Sequence, residues 1–180
     1  MAEGLLRACL EARGVDATVS STGVSFRDRP ASANAVDAMR RRGIDIDPHR
    51  SRMLDVDQLT RADLVLCMER THVREAVILH PPSFPRVFTL KELVRRGEQI
   101  GSRGPDEHTE QWLTRAGLGR RPLDHLGASA ADDVADPIGL GPDQYEETAA
   151  ELADLVARLV DLMWPPLTTA VAAHQNRETA

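Results

Sequence analysis

Aromatic residues make up only 3% of this 180-residue chain, cysteine occurs twice, and Lys91 is the single lysine among 22 basic residues. The scarcity of aromatics excludes a stacking platform for single-stranded nucleic acid and leaves the core to Leu, Val, Ile and Ala. Cys9 and Cys67 cannot build a disulfide framework, and without a C-x-x-C they do not suggest a structural zinc site, so a reducing, cytoplasmic setting is expected. No two histidines stand at H-x-x-x-H spacing, which removes the helical zinc-hydrolase motif. No metal and no cofactor are expected. No apolar run approaches the roughly 18 residues a membrane span needs, and the N-terminus lacks the flank and apolar run of a secretion signal. The formal net charge of -6 argues against a nucleic-acid partner, because phosphate neutralisation needs a basic surface. A local basic run, Arg40-Arg41-Arg42, reads as a helix end or an anion site.

What is present fits one globular domain, 42% hydrophobic and 28% charged. Leu5, Leu6, Cys9 and Leu10 share a helical face over residues 2 to 13, with Gly14 placed to close it. A short strand is expected over Asp16 to Ser21. A helix follows from Ala33 to Arg42, with Val36 and Met39 inward, and a short one near Val56 to Arg61. The run Ala62 to Met68 has the pattern of a parallel strand buried on both faces. Thr71 is placed to cap a helix reaching Leu79, and Arg86 to Thr89 is a further strand. Residues 97 to 127, rich in Gly and Arg, read as a surface excursion with one helix around Asp106 to Arg115. Tyr145, Ala149, Leu152, Val156, Leu159 and Met163 mark a long final helix that Pro165-Pro166 ends. Helices alternating with strands predict an α/β domain with a parallel sheet over residues 1–164, followed by a tail at 165–180.

Five segments, in order, resemble the low-molecular-weight protein-tyrosine phosphatases, a flavodoxin-like family that includes the thioredoxin-coupled arsenate reductases. They are Met1-Ala2-Glu3-Gly4-Leu5-Leu6, Val19 to Gly23, Gly43-Ile44-Asp45 with His49-Arg50-Ser51-Arg52, Ala62 to Met68, and Asp133 to Gly139. The resemblance implies a three-layer flavodoxin-like fold and hydrolysis of phosphate monoesters. In the family a thiolate in a C-x5-R loop attacks phosphorus, backbone N–H groups and the arginine hold the phosphoryl oxygens, and an Asp-Pro aspartate protonates the leaving phenolate. That loop precedes a sequence like Met1-Ala2-Glu3-Gly4. Val15 and Val73 stand six positions after Cys9 and Cys67, so neither cysteine heads a C-x5-R. The family's first, central strand and its phosphate loop are therefore expected to be missing from these residues, leaving neighbouring backbone groups without their ladder.

The resemblance implies that Asp136, fixed by Pro137, is the general acid; by itself the dipeptide is an ordinary turn. Ser21 and His49 match positions that brace the phosphate loop, and are otherwise turn or loop polar groups. Ile138 stands where several members carry a tyrosine, and Phe26 is either a substitute pocket rim or a half-buried loop anchor. Cys9 and Cys67 read as buried small hydrophobes. The expectation is a phosphatase-like domain, inactive over these residues and most simply an N-terminally truncated gene model. The alternatives are a non-catalytic remnant or interaction protein and, less well supported because no cysteine follows Cys67, an arsenate-reductase relative. Its partner would be a phosphotyrosine protein or a small aryl phosphate if the loop exists upstream.

Overall fold

The computed structural model describes residues 1–166; residues 167–180, most of the expected tail, lie outside them. Helix α1, Ala2–Ala12, buries Leu5 and Leu10, and Gly14 follows it at φ 70°. Helix α2, Ala33–Arg40, is capped by the Ser32 side chain on the Ala35 amide and buries Val36 and Met39. Helix α3, Val56–Arg61, opens on a reciprocal cap in which Asp55 and Gln58 each satisfy the other's backbone N–H. Strand β1, Val65–Cys67, leads into helix α4, Arg70–Leu79, and the chain returns through a 3₁₀ turn, Pro81–Arg86, to strand β2, Val87–Thr89. The strands are parallel, with Val65 opposite Val87 and Cys67 opposite Thr89, the geometry a helical crossover permits. Thr89 then caps helix α5, Leu90–Ile100, by accepting from the Glu92 amide. Helix α6, Thr109–Ala116, a second 3₁₀ turn, Pro122–His125, and helix α7, Pro142–Met163, complete the chain of elements.

The long helix α7 is the centre of the packing and touches α1, α2 and α5. All six of its expected inward residues, from Tyr145 to Met163, are buried. They join Leu5, Val36, Met39, Phe88, Leu93 and Trp112 in the main core. A smaller cluster of Leu59, Cys67, Val73, Ala76 and Val87 covers the sheet's other side. Close approach is required at Gly97, where a Cβ would come within 2.9 Å of both Leu162 and Trp112.

Several expectations are corrected. Asp16 to Ser21 forms no strand; among the described residues it meets no ladder partner, and only Gly23, just beyond it, makes a bridge to Met53. Strand β1 is not buried on both faces, since Val65 and Leu66 are half-buried and only Cys67 is closed off; β2 is its one partner among the described residues. Glu69, not Thr71, occupies the N-cap of α4, with no side-chain cap bond. Residues 97 to 127 are not a surface excursion throughout: Trp112, Leu113 and Ala116 on α6 enter the main core, and the Trp112 indole N–H donates to the Gly101 carbonyl at 3.0 Å. Phe26 is no half-buried anchor, being 56% exposed.

Candidate active site

Two constructions carry the residues singled out by the sequence. The first is built at the start of α1. Gly4 packs against the segment leading to His49, and a Cβ there would fall 2.9 Å from Ile44 Cγ2 and 3.3 Å from Ile46 Cγ2. This close contact sets the first turn beside the His49 segment. The Glu3 carboxylate, one residue earlier, receives the Ser21 hydroxyl and the Arg7 guanidinium, and lies 3.7 Å from His49 Nδ1. Burial pushes the Glu3 carboxyl upward, but hydrogen bonds from Ser21 and Arg7, with the charges of Arg7 and His49, hold it below its usual value. Ser21 and His49 thus meet at one carboxylate, whose part the sequence did not disclose.

The second construction is the loop holding Asp136. Val134 N–H donates to the Met68 carbonyl at 2.8 Å, which ties the loop to the carboxyl end of β1, the end at which open α/β sheets bind ligands. Asp133 accepts from the Arg70 amide at 2.8 Å and from the Ser129 amide at 2.6 Å. Asp132, buried, is held by Arg70 and Arg95, each with an N···O distance of 2.6 Å. Burial opposes its charge, yet the hydrogen bonds and charges of Arg95 and Arg70 win and keep its carboxyl low. From α7, the Thr148 hydroxyl donates to the Ala135 carbonyl at 3.4 Å.

On this anchored base Pro137 is buried while Asp136 is exposed, its Oδ1 accepting from the Ile138 amide at 3.0 Å. Ile138 is 65% exposed. Among the described residues no hydrogen bond joins Asp136 to Ser21 or His49. The arginine clasp on Asp132 left no signal in the sequence, because its members stand 62 and 37 positions apart.

Neither cysteine thiol is lowered towards the thiolate. Burial pushes the Cys67 thiol up to about 12, and the partly buried Cys9 thiol is also raised by burial. Among the described residues no group of three or more His, Cys, Asp or Glu side chains is placed to hold a metal ion, and no helix is long and apolar enough to cross a membrane.

The family model for low molecular weight phosphotyrosine protein phosphatase matches residues 1–115. The chain belongs to that family. Among curated proteins it is 39% identical over 94 residues to the "Probable low molecular weight protein-tyrosine-phosphatase EpsP" of Ralstonia solanacearum, covering 52% of this chain and 62% of the relative. It therefore spans less than two thirds of that relative's length. It is 29% identical over 160 residues to the protein-arginine-phosphatase of Bacillus subtilis, covering 88% of this chain and 84% of the relative. Among solved structures, the low molecular weight protein tyrosine phosphatase from T. tengcongensis superposes with a TM-score of 0.66 at 31% identity, over 89% of this chain and 87% of that one. The phosphatase-family fold, an α/β architecture, is thus shared over most of the described residues. Asp136 lies beyond the 1–115 match.

Proposed function

We propose that residues 1–164 form one phosphatase-like domain of a cytoplasmic protein: the scaffold and acid-bearing part of an enzyme that hydrolyses phosphate monoesters of tyrosine or other aryl alcohols. The observation that carries this reading is the anchorage of the Asp136 loop to the carboxyl end of β1 by the Val134–Met68 bond. In such a reaction a thiolate attacks phosphorus and the P–O bond to the aryl group breaks. The Asp136 carboxyl gives its proton to the departing phenolate oxygen. The resulting carboxylate then takes a proton from the water that cleaves the cysteinyl phosphate, which restores the thiolate. Glu3 holds Ser21 and His49 where they brace the phosphate loop, and Phe26 and Ile138 form the rim around the aryl ring.

The nucleophile and phosphate loop come from outside these 180 residues, since neither cysteine heads a C-x5-R and the Cys67 thiol is held protonated. Purified residues 1–180 are expected to release no p-nitrophenol from p-nitrophenyl phosphate above the buffer rate; robust turnover overturns this. The in-frame codons before Met1 are expected to encode the C-x5-R loop. A stop codon there would instead favour a non-catalytic interaction protein.

A second reading is supported by the alignment with the Bacillus subtilis protein-arginine-phosphatase, which extends over 88% of this chain. In that case the same acid would protonate a guanidinium nitrogen as the P–N bond breaks. Once the loop is supplied, turnover of a phosphotyrosine peptide against a phosphoarginine peptide separates the two.

A further inference from the structure

Arginine is abundant in this chain, and among the described residues most of it is engaged. Most guanidinium groups are held by carboxylates, as at Asp132 and Glu92, or by backbone carbonyls, as at Arg86 and Arg103. Among the described residues, Arg27, Arg29, Arg52 and Arg74 are the arginines whose side chains donate no hydrogen bond and meet no carboxylate. Three of the four lie on one small structure.

Residues 23 to 30 and 50 to 54 form an irregular ribbon. Pro30 bridges Arg50 and Gly23 bridges Met53. The Asp28 amide donates to the Ser51 carbonyl at 2.9 Å, the Ser51 amide to the Arg29 carbonyl at 2.9 Å, and the Arg29 amide to Ser51 Oγ at 3.0 Å. Gly23 N–H donates to the Arg52 carbonyl at 2.8 Å, and Leu54 N–H donates back to Gly23 at 2.9 Å. These bonds fix the backbone from which Arg27, Arg29 and Arg52 project, all exposed. Arg50 adds a fourth cation, bonded only to the Asp47 and His49 carbonyls. The acid within the loop, Asp28, makes no ion pair with any of them. Phe26 and Val24 are exposed on the same ribbon, and Ser21 and His49 adjoin its two strands in sequence.

We infer that this ribbon is a docking surface for an acidic polypeptide segment, the flank of the phosphorylated residue in a protein substrate. Charge complementarity carries the inference. A chain of net charge -6 repels an acidic peptide at long range, so attraction must come from a local, pre-ordered cationic surface. Guanidinium groups with no internal partner are free to form paired bonds with Glu and Asp carboxylates at no cost in broken contacts. The connection to a phosphorylated residue rests on the proposed function; the capture of the acidic segment does not.

The test is fluorescence anisotropy of residues 1–180 with a labelled nonapeptide of Glu and Asp around a central tyrosine, and with its Gln and Asn counterpart. The acidic peptide is expected to bind saturably at low ionic strength and to weaken as salt rises; the amide peptide is not expected to bind. The triple variant Arg27→Gln/Arg29→Gln/Arg52→Gln is expected to weaken binding about tenfold, each rim charge supplying a modest share. Arg74→Gln, which removes the remaining unengaged guanidinium from the cleft beside Leu123 and His125, should stay within about twofold of wild type. The double variant Arg27→Gln/Arg29→Gln serves if the triple one melts early. Unaltered binding in these variants, an equal loss in Arg74→Gln, or equal capture of the amide peptide overturns the inference. None of these results bears on turnover, so the phosphatase reading stands or falls separately.

Discussion

Two glutamates in this molecule head nearly the same cast. Glu92 binds Arg96 four residues on, together with Arg120 and His125; Glu3 binds Arg7 four residues on, together with Ser21 and, at 3.7 Å, His49. Their surroundings differ. Arg120 is sealed in, its guanidinium 3.8 Å from the centre of the Phe88 ring and 4.6 Å from that of Phe84, with bonds to the Phe84 and Val87 carbonyls. His125 is buried, its Nε2 3.0 Å from Glu92 Oε2. At Glu3 the Arg7 side chain is 47% exposed and that of His49 is 32% exposed. The same donors around a carboxylate become a fixed internal tie when closed on every side, and a group able to meet a substrate or loop when one side stays open.

The largest expected effect separates the two most sharply. Glu92→Ala leaves Arg120 and His125 buried without their anion, and removing one partner of a buried pair costs about 3–5 kcal/mol. Urea unfolding should show the loss; a change under about 1 kcal/mol would mean that the clasp contributes no more than a surface pair. Acid titration reads the same group. Burial raises the Glu92 carboxyl, but hydrogen bonds from His125 and Arg120 and their charges overcome this and hold it at about 2 against a usual 4.5. Because the folded value is depressed, its stabilisation is fully present above pH 4.5 and is lost as pH falls towards 2. The total is up to about 3 kcal/mol at 1.36 kcal/mol per unit. Glu92→Gln should flatten that slope, as followed by urea unfolding at fixed pH values between the two limits.

Asp132 stands between the extremes. It is as buried as Glu92, but its arginines, Arg70 and Arg95, are 24% and 44% exposed, so water compensates part of any loss. Asp132→Asn is expected to cost about 1–3 kcal/mol. The damage should concentrate in the loop holding Asp136, with hydrogen exchange accelerating at the Val134 amide before the α7 core responds. Uniform acceleration across α7 would show that the clasp supports the whole domain rather than the loop.

What could be read from the sequence follows the range of the interactions. The inward face of α7 was legible because a 3.6-residue period is local. Asp136, Ser21 and His49 were marked by short motifs that resemble the family. Glu3 lay within such a motif, but its role depends on Ser21 and His49, 18 and 46 positions away, and no period encodes that. The Glu92 clasp was hidden for the same reason, and its burial turns a Gly- and Arg-rich stretch into core. Asp16 to Ser21 failed as a strand because a short alternating segment becomes one only against a partner, and none of the described residues supplies it.

The smallest expected effect is the one that can break the contrast. Glu3→Gln keeps the shape of the side chain and an acceptor for Ser21, and removes the charge facing Arg7 and His49. With Arg7 half in water, the stability lost should be about 1 kcal/mol or less. Urea unfolding of this variant beside Glu92→Gln gives the comparison directly. If both lose 3 kcal/mol or more, the Glu3 cluster is an internal tie like the other, and its open side has no bearing on function. If Glu3→Gln is nearly silent in stability, the carboxylate is not needed to hold the fold. Ser21, Arg7 and His49 then gather around a charge that the fold does not require.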